Sequence, residues 1–257
     1  MKILITGKTG YIARSFANYL QNAHKSTNYD LLDLRDNSWQ TSSFTGYDAV
    51  LHTAGLAHIR ENRHNQYDYY NINRDLAFDV AKKAKADGVR QFIFLSSISV
   101  YGLKTGLITK DTLPAPNTHY GRSKLAAESL ITPLADDTFK VAILRFPMVY
   151  GPGCPGNYSK LCKLVEIAPF FPNYPNARSM ISIENLCTGI FDIIKDGQGG
   201  LHFPRDPSHI STAEMATNIA KSKGKNLPLT KIFNPLISLL MPINTISKLF
   251  GTLIIKI

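Results

Sequence analysis

A chain of 257 residues, 44% hydrophobic and 19% charged, is too apolar for a disordered protein and long enough for one α/β core with a small lobe. Cys154, Cys162 and Cys187 form no Cys-x-x-Cys pair, which argues against a disulfide framework or a zinc site and for a reduced, cytoplasmic setting. The net charge of +10 suits an anionic partner, but the cations read as scattered, with no arginine-rich block or aromatic interleaving, which speaks against nucleic acid.

Met1-Lys2 runs straight into the apolar Ile3-Leu4-Ile5, so no signal peptide is expected there. Apolar runs recur at 2–6, 29–34, 49–53, 91–96 and 140–146, with amphipathic stretches at 11–21, 72–86 and 120–134. This alternation predicts an α/β fold, a doubly wound parallel sheet of Rossmann type that binds ligands at the carboxyl ends of its strands. The first run ends in Thr6-Gly-Lys-Thr-Gly-Tyr-Ile-Ala13. Gly7 and Gly10 permit a tight turn and let the backbone approach a dinucleotide pyrophosphate at the positive end of the next helix. Ala13 stands where a third glycine often allows close packing of helix and strand. The second run ends Leu31-Leu-Asp-Leu-Arg35. Asp33 is placed to accept hydrogen bonds from ribose hydroxyls, which selects NAD, while Arg35 beside it leaves NADP open.

Ser96-Ser97 closes the fourth run, and Tyr120-Gly-Arg-Ser-Lys124 opens the helix that follows. Positions i and i+4 share a helix face, so the Lys124 ammonium is expected beside the Tyr120 phenol. A cation there is expected to bring a phenol pKa of about 10 down towards the operating pH, where a general acid/base works best. The plain alternative is a helix start with one exposed tyrosine and one solvated lysine. The glycine-rich turn and the serine pair upstream favour a nicotinamide site with its own acid/base residue.

After Pro147 prolines and glycines dominate as far as Ala177. Residues 1–146 are read as the dinucleotide-binding domain and 147–257 mainly as a substrate lobe, with about 178–206 returning to the core. Ser211-Thr-Ala-Glu214 has the form of a capping box. The segment 232–257 is strongly apolar, but Pro235 and Pro242 interrupt it and no run of ~18 apolar residues exists, which argues against a membrane span. A helix packed on the lobe or against a second subunit is expected there, with contact to a membrane surface left open.

Five strings in order, TGKTGYIA, VLHTAGLAH, GVRQFIFLSSISVYG, YGRSKLAAE and LRFPMVYGPG, followed by NARSMISIENL, carry a family resemblance. Over about residues 1–205 the chain resembles the extended short-chain dehydrogenase/reductase family, specifically its nucleotide-sugar epimerases and reductases. The resemblance implies Ser97, Tyr120 and Lys124 as catalytic residues, with Lys124 also on the nicotinamide ribose. For the cofactor it implies Gly7, Thr9, Gly10, Tyr11, Ile12, Asp33 and Arg35 from the first two strand ends. Ala54, Gly55, Leu56, Asn73, Ser96, Phe146 and Pro147, with Tyr120 and Lys124 themselves, complete that set. For a UDP-sugar it implies Ser97, His58, Asn157 and Arg178, the arginine because its planar fork matches phosphate oxygens. His52 is read as a core histidine. A homodimer through a four-helix bundle of 72–86 and 120–134 is implied as well.

Two departures stand out. Met148 occupies the place where many of these epimerases carry a phosphate-contacting asparagine, and relatives continue beyond the segment resembling 247–255, so the lobe is read as truncated. The dehydratase branch carries Asp-Glu directly after the catalytic hydroxyl residue; Ile98 and Ser99 stand there, and 4,6-dehydration is rejected. The expected activity is an NAD-dependent 4-epimerase acting on a UDP-hexose or UDP-N-acetylhexosamine through a 4-keto sugar. An NAD(P)H-dependent 4-keto reductase would use the same three residues. A chain that binds cofactor without turnover is the alternative of another class.

Overall fold

The computed structural model describes residues 1–57, 59, 61–62 and 64–257. The elements begin β1 Lys2–Thr6, α1 Tyr11–Ala23, β2 Asn28–Leu32, β3 Ala49–His52, α2 Gln66–Tyr70, a π-helical turn Asn71–Leu76, and α3 Ala77–Ala86. They continue with β4 Gln91–Leu95, β5 Gly106–Thr109, α4 His119–Ile131, β6 Lys140–Leu144, β7 Met148–Tyr150, α5 Asn157–Ile167 and β8 Phe171–Pro172. The chain ends with β9 Met180–Ser182, α6 Ile183–Lys195, β10 Gly200–His202, α7 Thr212–Ser222, β11 Leu229–Thr230, α8 Asn234–Leu239, α9 Asn244–Phe250 and β12 Leu253–Lys256.

Six strands form one parallel sheet in the order β10-β6-β4-β3-β1-β2. The four inner strands are almost wholly buried, as unbroken apolar runs must be when helices cover both faces. Edge strand β2 is partly exposed. The strand order reverses beside β1, whose neighbours are β2 and β3, and the carboxyl ends of β1 and β3 lie at that switch point, the usual place for a ligand. Helix α1 buries Ala13, Phe16, Ala17 and Leu20, a regular apolar stripe. Helix α4 differs: its buried face includes Ser123, Lys124 and Glu128 beside Ala127 and Ile131. Burying charge has a cost unless it is paired, so this helix is built for something other than packing alone.

The helix expected over 72–86 starts earlier, at Gln66, and widens into a π turn before α3. Tyr69 is the buried residue of α2, too sparse an apolar pattern to announce a helix.

The chain divides into two compact units. The first comprises 1–102, 114–146 and 183–204, and the second 103–113, 147–182 and 205–257. The second has its own core, with Leu161, Val165, Phe171, Met180, Ile219 and Phe250 among its members, and small parallel pairs β7–β9, β8–β11 and β5–β12. The Ser211 hydroxyl accepts from the Glu214 amide at 3.0 Å, the first half of a capping box. No helix among the described residues is long and apolar enough to cross a membrane. The cations are not scattered once this division is drawn. The second unit carries 12 Lys and Arg against four Asp and Glu, a net +8, leaving +2 for the first.

Candidate active site

The turn from β1 into α1 is tied down by its backbone. The Gly7 and Lys8 amides both donate to the Leu32 carbonyl oxygen, at 2.9 and 3.3 Å, and the Gly10 amide donates to Gly7 O at 2.8 Å. Gly7 has φ +85°, and a Cβ there would lie 2.8 Å from the Ala54 nitrogen, so only glycine brings this turn against the end of β3. Gly10 is the N-cap of α1, no side chain caps the first turn, and that turn contains no acidic residue. Thr9 is exposed, Tyr11 and Ile12 are half-buried, and Ala13 is fully buried. A 13-residue helix presented this way fits the diphosphate of a dinucleotide.

Asp33 and Arg35 form a forked ion pair just past β2, with Arg35 Nη2 2.5 Å and Nε 3.0 Å from Asp33 Oδ2. The guanidinium holds the Asp33 carboxyl down at about 2, fully ionised at neutral pH. The arginine that would take a 2′-phosphate is thereby occupied by the carboxylate that would repel one.

Past β3, Ala54 and Leu56 are half-buried and Gly55 is exposed. Asn73, fully buried in the π turn, accepts from the Leu56 amide at 2.7 Å and donates to Leu56 O and to Ser123 Oγ, both at 3.0 Å. It fastens the β3 loop to α4. His52 Nδ1 meets Thr6 Oγ1 at 2.9 Å, and Nε2 has no protein partner among the described residues. Burial and then the Lys124 charge push His52 down to about 3, so it is neutral.

The acid/base corner stands at the end of β4. A Cβ on Gly121 would lie 2.5 Å from Ser99 O, so a glycine straight after Tyr120 lets the 97–101 turn close on α4. Ser97, half-buried, accepts from the Ser99 amide and donates to Ser99 Oγ, both at 3.1 Å, and stands near enough to the Tyr120 phenol to favour its ionised form. The phenol does not behave as the sequence suggests. Burial raises its pKa to about 12, and the nearby Ser97 hydroxyl offsets only part of that. Lys124 Nζ donates to Leu95 O at 2.8 Å and lies 4.6 Å from the centre of the Phe94 ring, and burial lowers its own pKa to about 8. The i, i+4 spacing puts the two residues on one face, but here the ammonium is engaged by the strand end and desolvation governs the phenol.

Three residues that sequence reasoning missed frame this corner. Glu61 accepts from the His119 and Tyr120 amides, at 3.1 and 2.9 Å, and so caps α4 beside the Thr118 hydroxyl, which accepts from Gly121 N. Glu128 and Arg145 form a buried ion pair in which Nη2 lies 2.5 Å from Oε2. Ser96, also buried, donates to Glu128, and Arg145 Nη1 donates to Tyr101 Oη at 2.8 Å. Ser96 therefore faces this buried network while Ser97 faces Tyr120. Glu128 lies at i+8 from Tyr120, on the stripe that carries Lys124, and that spacing was a usable signal.

The remaining predicted residues are distributed as follows. The Phe146 carbonyl oxygen accepts from Ile98 N at 3.1 Å in the first unit. Pro147 is buried in the second. His58 lies outside the described residues. Asn157 is exposed at the first position of α5. Arg178 is half-buried, its Nη1 donates to Gly251 O at 2.6 Å, and no carboxylate pairs with it among the described residues. The simple surface salt bridge is not what this arginine makes.

The profile of the NAD dependent epimerase/dehydratase family matches residues 3–167. A UDP-glucose 4-epimerase of Vibrio cholerae is 31% identical over 228 residues, covering 84% of this chain and 69% of its own length. One from Yersinia pestis is 27% identical, covering 91% and 86%. Among solved structures, the UDP-glucuronic acid 4-epimerase of Bacillus cereus in complex with NAD superposes with a TM-score of 0.72, covering all of this chain and 88% of that one. At 21% identity this last likeness shows the fold. A profile that spans well over half the chain, and a relative alike across most of both lengths, lead to one conclusion: this chain belongs to the NAD dependent epimerase/dehydratase family, and is an NAD-dependent enzyme of nucleotide sugars.

Proposed function

We propose that this chain is a 4-epimerase of a UDP-hexose or UDP-N-acetylhexosamine in which Ser97, Tyr120 and Lys124 do the chemistry. The observation that carries this reading is the convergence of the Ser97 hydroxyl and the Tyr120 phenol at the end of β4, with Lys124 one turn along α4 on the Leu95 carbonyl. NAD, held by the Gly7–Ile12 turn, Asp33 and the Ala54–Leu56 loop, would supply the acceptor and donor of the C4 hydride. Tyr120 Oη takes the proton of the sugar 4-hydroxyl and returns it to the carbonyl oxygen of the 4-keto sugar once the other face has been presented. Ser97 holds that oxygen against the phenol and fixes its direction. Burial alone leaves the phenol protonated at neutral pH, so base action needs the Lys124 charge turned towards it, and half of that charge is lost by about pH 8.

Arg178, which pairs with no carboxylate among the described residues, is the proposed diphosphate-binding residue, and Asn157 at the start of α5 its companion. The occupied Arg35 supports NAD over NADP. A homodimer through α2–α3 and α4, in the cytoplasm, belongs to the same reading. The test is to denature the purified protein and identify any nucleotide released. Stoichiometric NAD, with UDP-glucose and UDP-galactose interconverted by the native protein, is the expected result. A protein free of nucleotide that reduces 4-keto sugars with added NADPH would replace the epimerase by a reductase.

A further inference from the structure

We propose that the second unit docks on an anionic lipid bilayer through a mixed apolar and basic face built from α5, the start of β8, and α8. Ile232, Leu236, Leu239 and Ile243 recur at steps of four, three and four along and beside α8, and all four are exposed, Ile232 by 77% and Leu239 by 75%. On α5 the residues at steps of three, one and three are Lys160, Lys163, Leu164 and Ile167, the last 81% exposed. The segment that leaves α5 is fastened to α8: Phe170, three residues past Ile167, stacks on Phe233 with ring centres 5.4 Å apart and planes within 4°, Asn234 Nδ2 donates to Asn173 O at 3.0 Å, and Tyr174 Oη meets Ser238 Oγ at 3.2 Å. Scattered exposed leucines need no explanation, but an exposed apolar stripe on α8, fastened to the segment that follows a second one on α5, marks a surface with a partner.

Charge selects the partner. The unit has a net +8, and the exposed Lys160, Lys163, Lys231 and Lys248 enter no ion pair among the described residues. Lysines alternating with leucine and isoleucine are the composition of a surface that lies in a headgroup layer, apolar side chains below the phosphates and ammonium groups among them. Each lysine near an anionic bilayer strengthens binding about fivefold. A second copy of the chain would bring one +8 unit against another, the wrong complement.

The test is flotation of the full chain with vesicles of phosphatidylcholine alone or mixed with phosphatidylglycerol. The wild type is expected to float with the mixed vesicles, far less with the neutral ones, and to be released as salt rises from about 0.05 to 0.5 M. L236S/L239S and K163E/K231E are each expected to weaken that binding about tenfold or more. Both variants change exposed side chains only and should keep the wild-type melting temperature. Failure of the wild type to float with mixed vesicles overturns the proposal, as does equal binding by the variants. So does wild-type self-association that L236S/L239S abolishes while vesicle binding stays absent, since the face would then be a subunit interface.

Discussion

The two units use the same ionisable residues in opposite ways. In the first, Lys124, Glu128 and Arg145 are buried and each has a partner: the Leu95 carbonyl, the Arg145 fork, the Tyr101 hydroxyl. In the second, lysines stand in solvent beside exposed leucine and isoleucine, and positive charge outnumbers negative three to one. Net charge is thus a poor guide until the fold divides it. A buried charge is held for position and pKa, whereas an exposed unpaired one acts on whatever approaches.

The comparison breaks if the buried set proves ornamental. Tyr120→Phe removes the proton carrier and keeps the ring, so kcat should fall about 10²–10⁴-fold with cofactor affinity unchanged. A variant within tenfold of wild type would remove Tyr120 from the chemistry. Glu128→Gln leaves the Arg145 guanidinium buried without its carboxylate and should lower stability by about 3–5 kcal/mol in urea melts. The double variant Glu128→Gln/Arg145→Met should recover part of that loss; a cost below about 1 kcal/mol for the single change would mean that water reaches the pair.

Lys124 sharpens the comparison with a smaller effect of two signs. Its folded pKa, about 8, lies below the ordinary lysine value because burial disfavours the ammonium. Below pH 8 the residue is charged in both states and burial destabilises the fold; above it the folded chain sheds the proton first. Stability relative to Lys124→Met should therefore rise by about 3 kcal/mol between pH 8 and 10.5, while kcat falls over the lower part of that range. Parallel melting curves for the two proteins across that range would show that Lys124 is not held as described.

The sheet and the first turn were legible because their signals are local: unbroken apolar runs for β1, β3, β4 and β6, and glycines where a side chain would strike the neighbouring loop. The β5–β12 pair was not. It joins Gly106–Thr109 to Leu253–Lys256, two four-residue strands almost 150 positions apart, and neither segment announces its partner. Glu61 was hidden for the same reason, since it caps a helix that begins 58 residues later. Glu128 was written in the helix stripe with Tyr120 and Lys124, but its value depends on Arg145, which arrives from another strand. The direction of the Tyr120 shift was misread because spacing reports which groups share a face and says nothing of how much water they lose.

The π turn at Asn71–Leu76 makes chain length, more than residue type, the sensitive variable along one wall of the acid/base corner. A π turn holds one residue more than an α turn, in effect a single insertion that the helix has kept. Each residue of an α-helix turns the chain by about 100°. Deleting one position here would leave α3 in place and swing α2 around its axis. Tyr69, which donates to Ile59 O at 2.9 Å and meets the Tyr120 ring edge-on at 6.5 Å, would then leave its neighbour altogether. Drift by substitution is tolerable at the exposed positions of this helix; a frame-preserving loss of one codon in the turn is not.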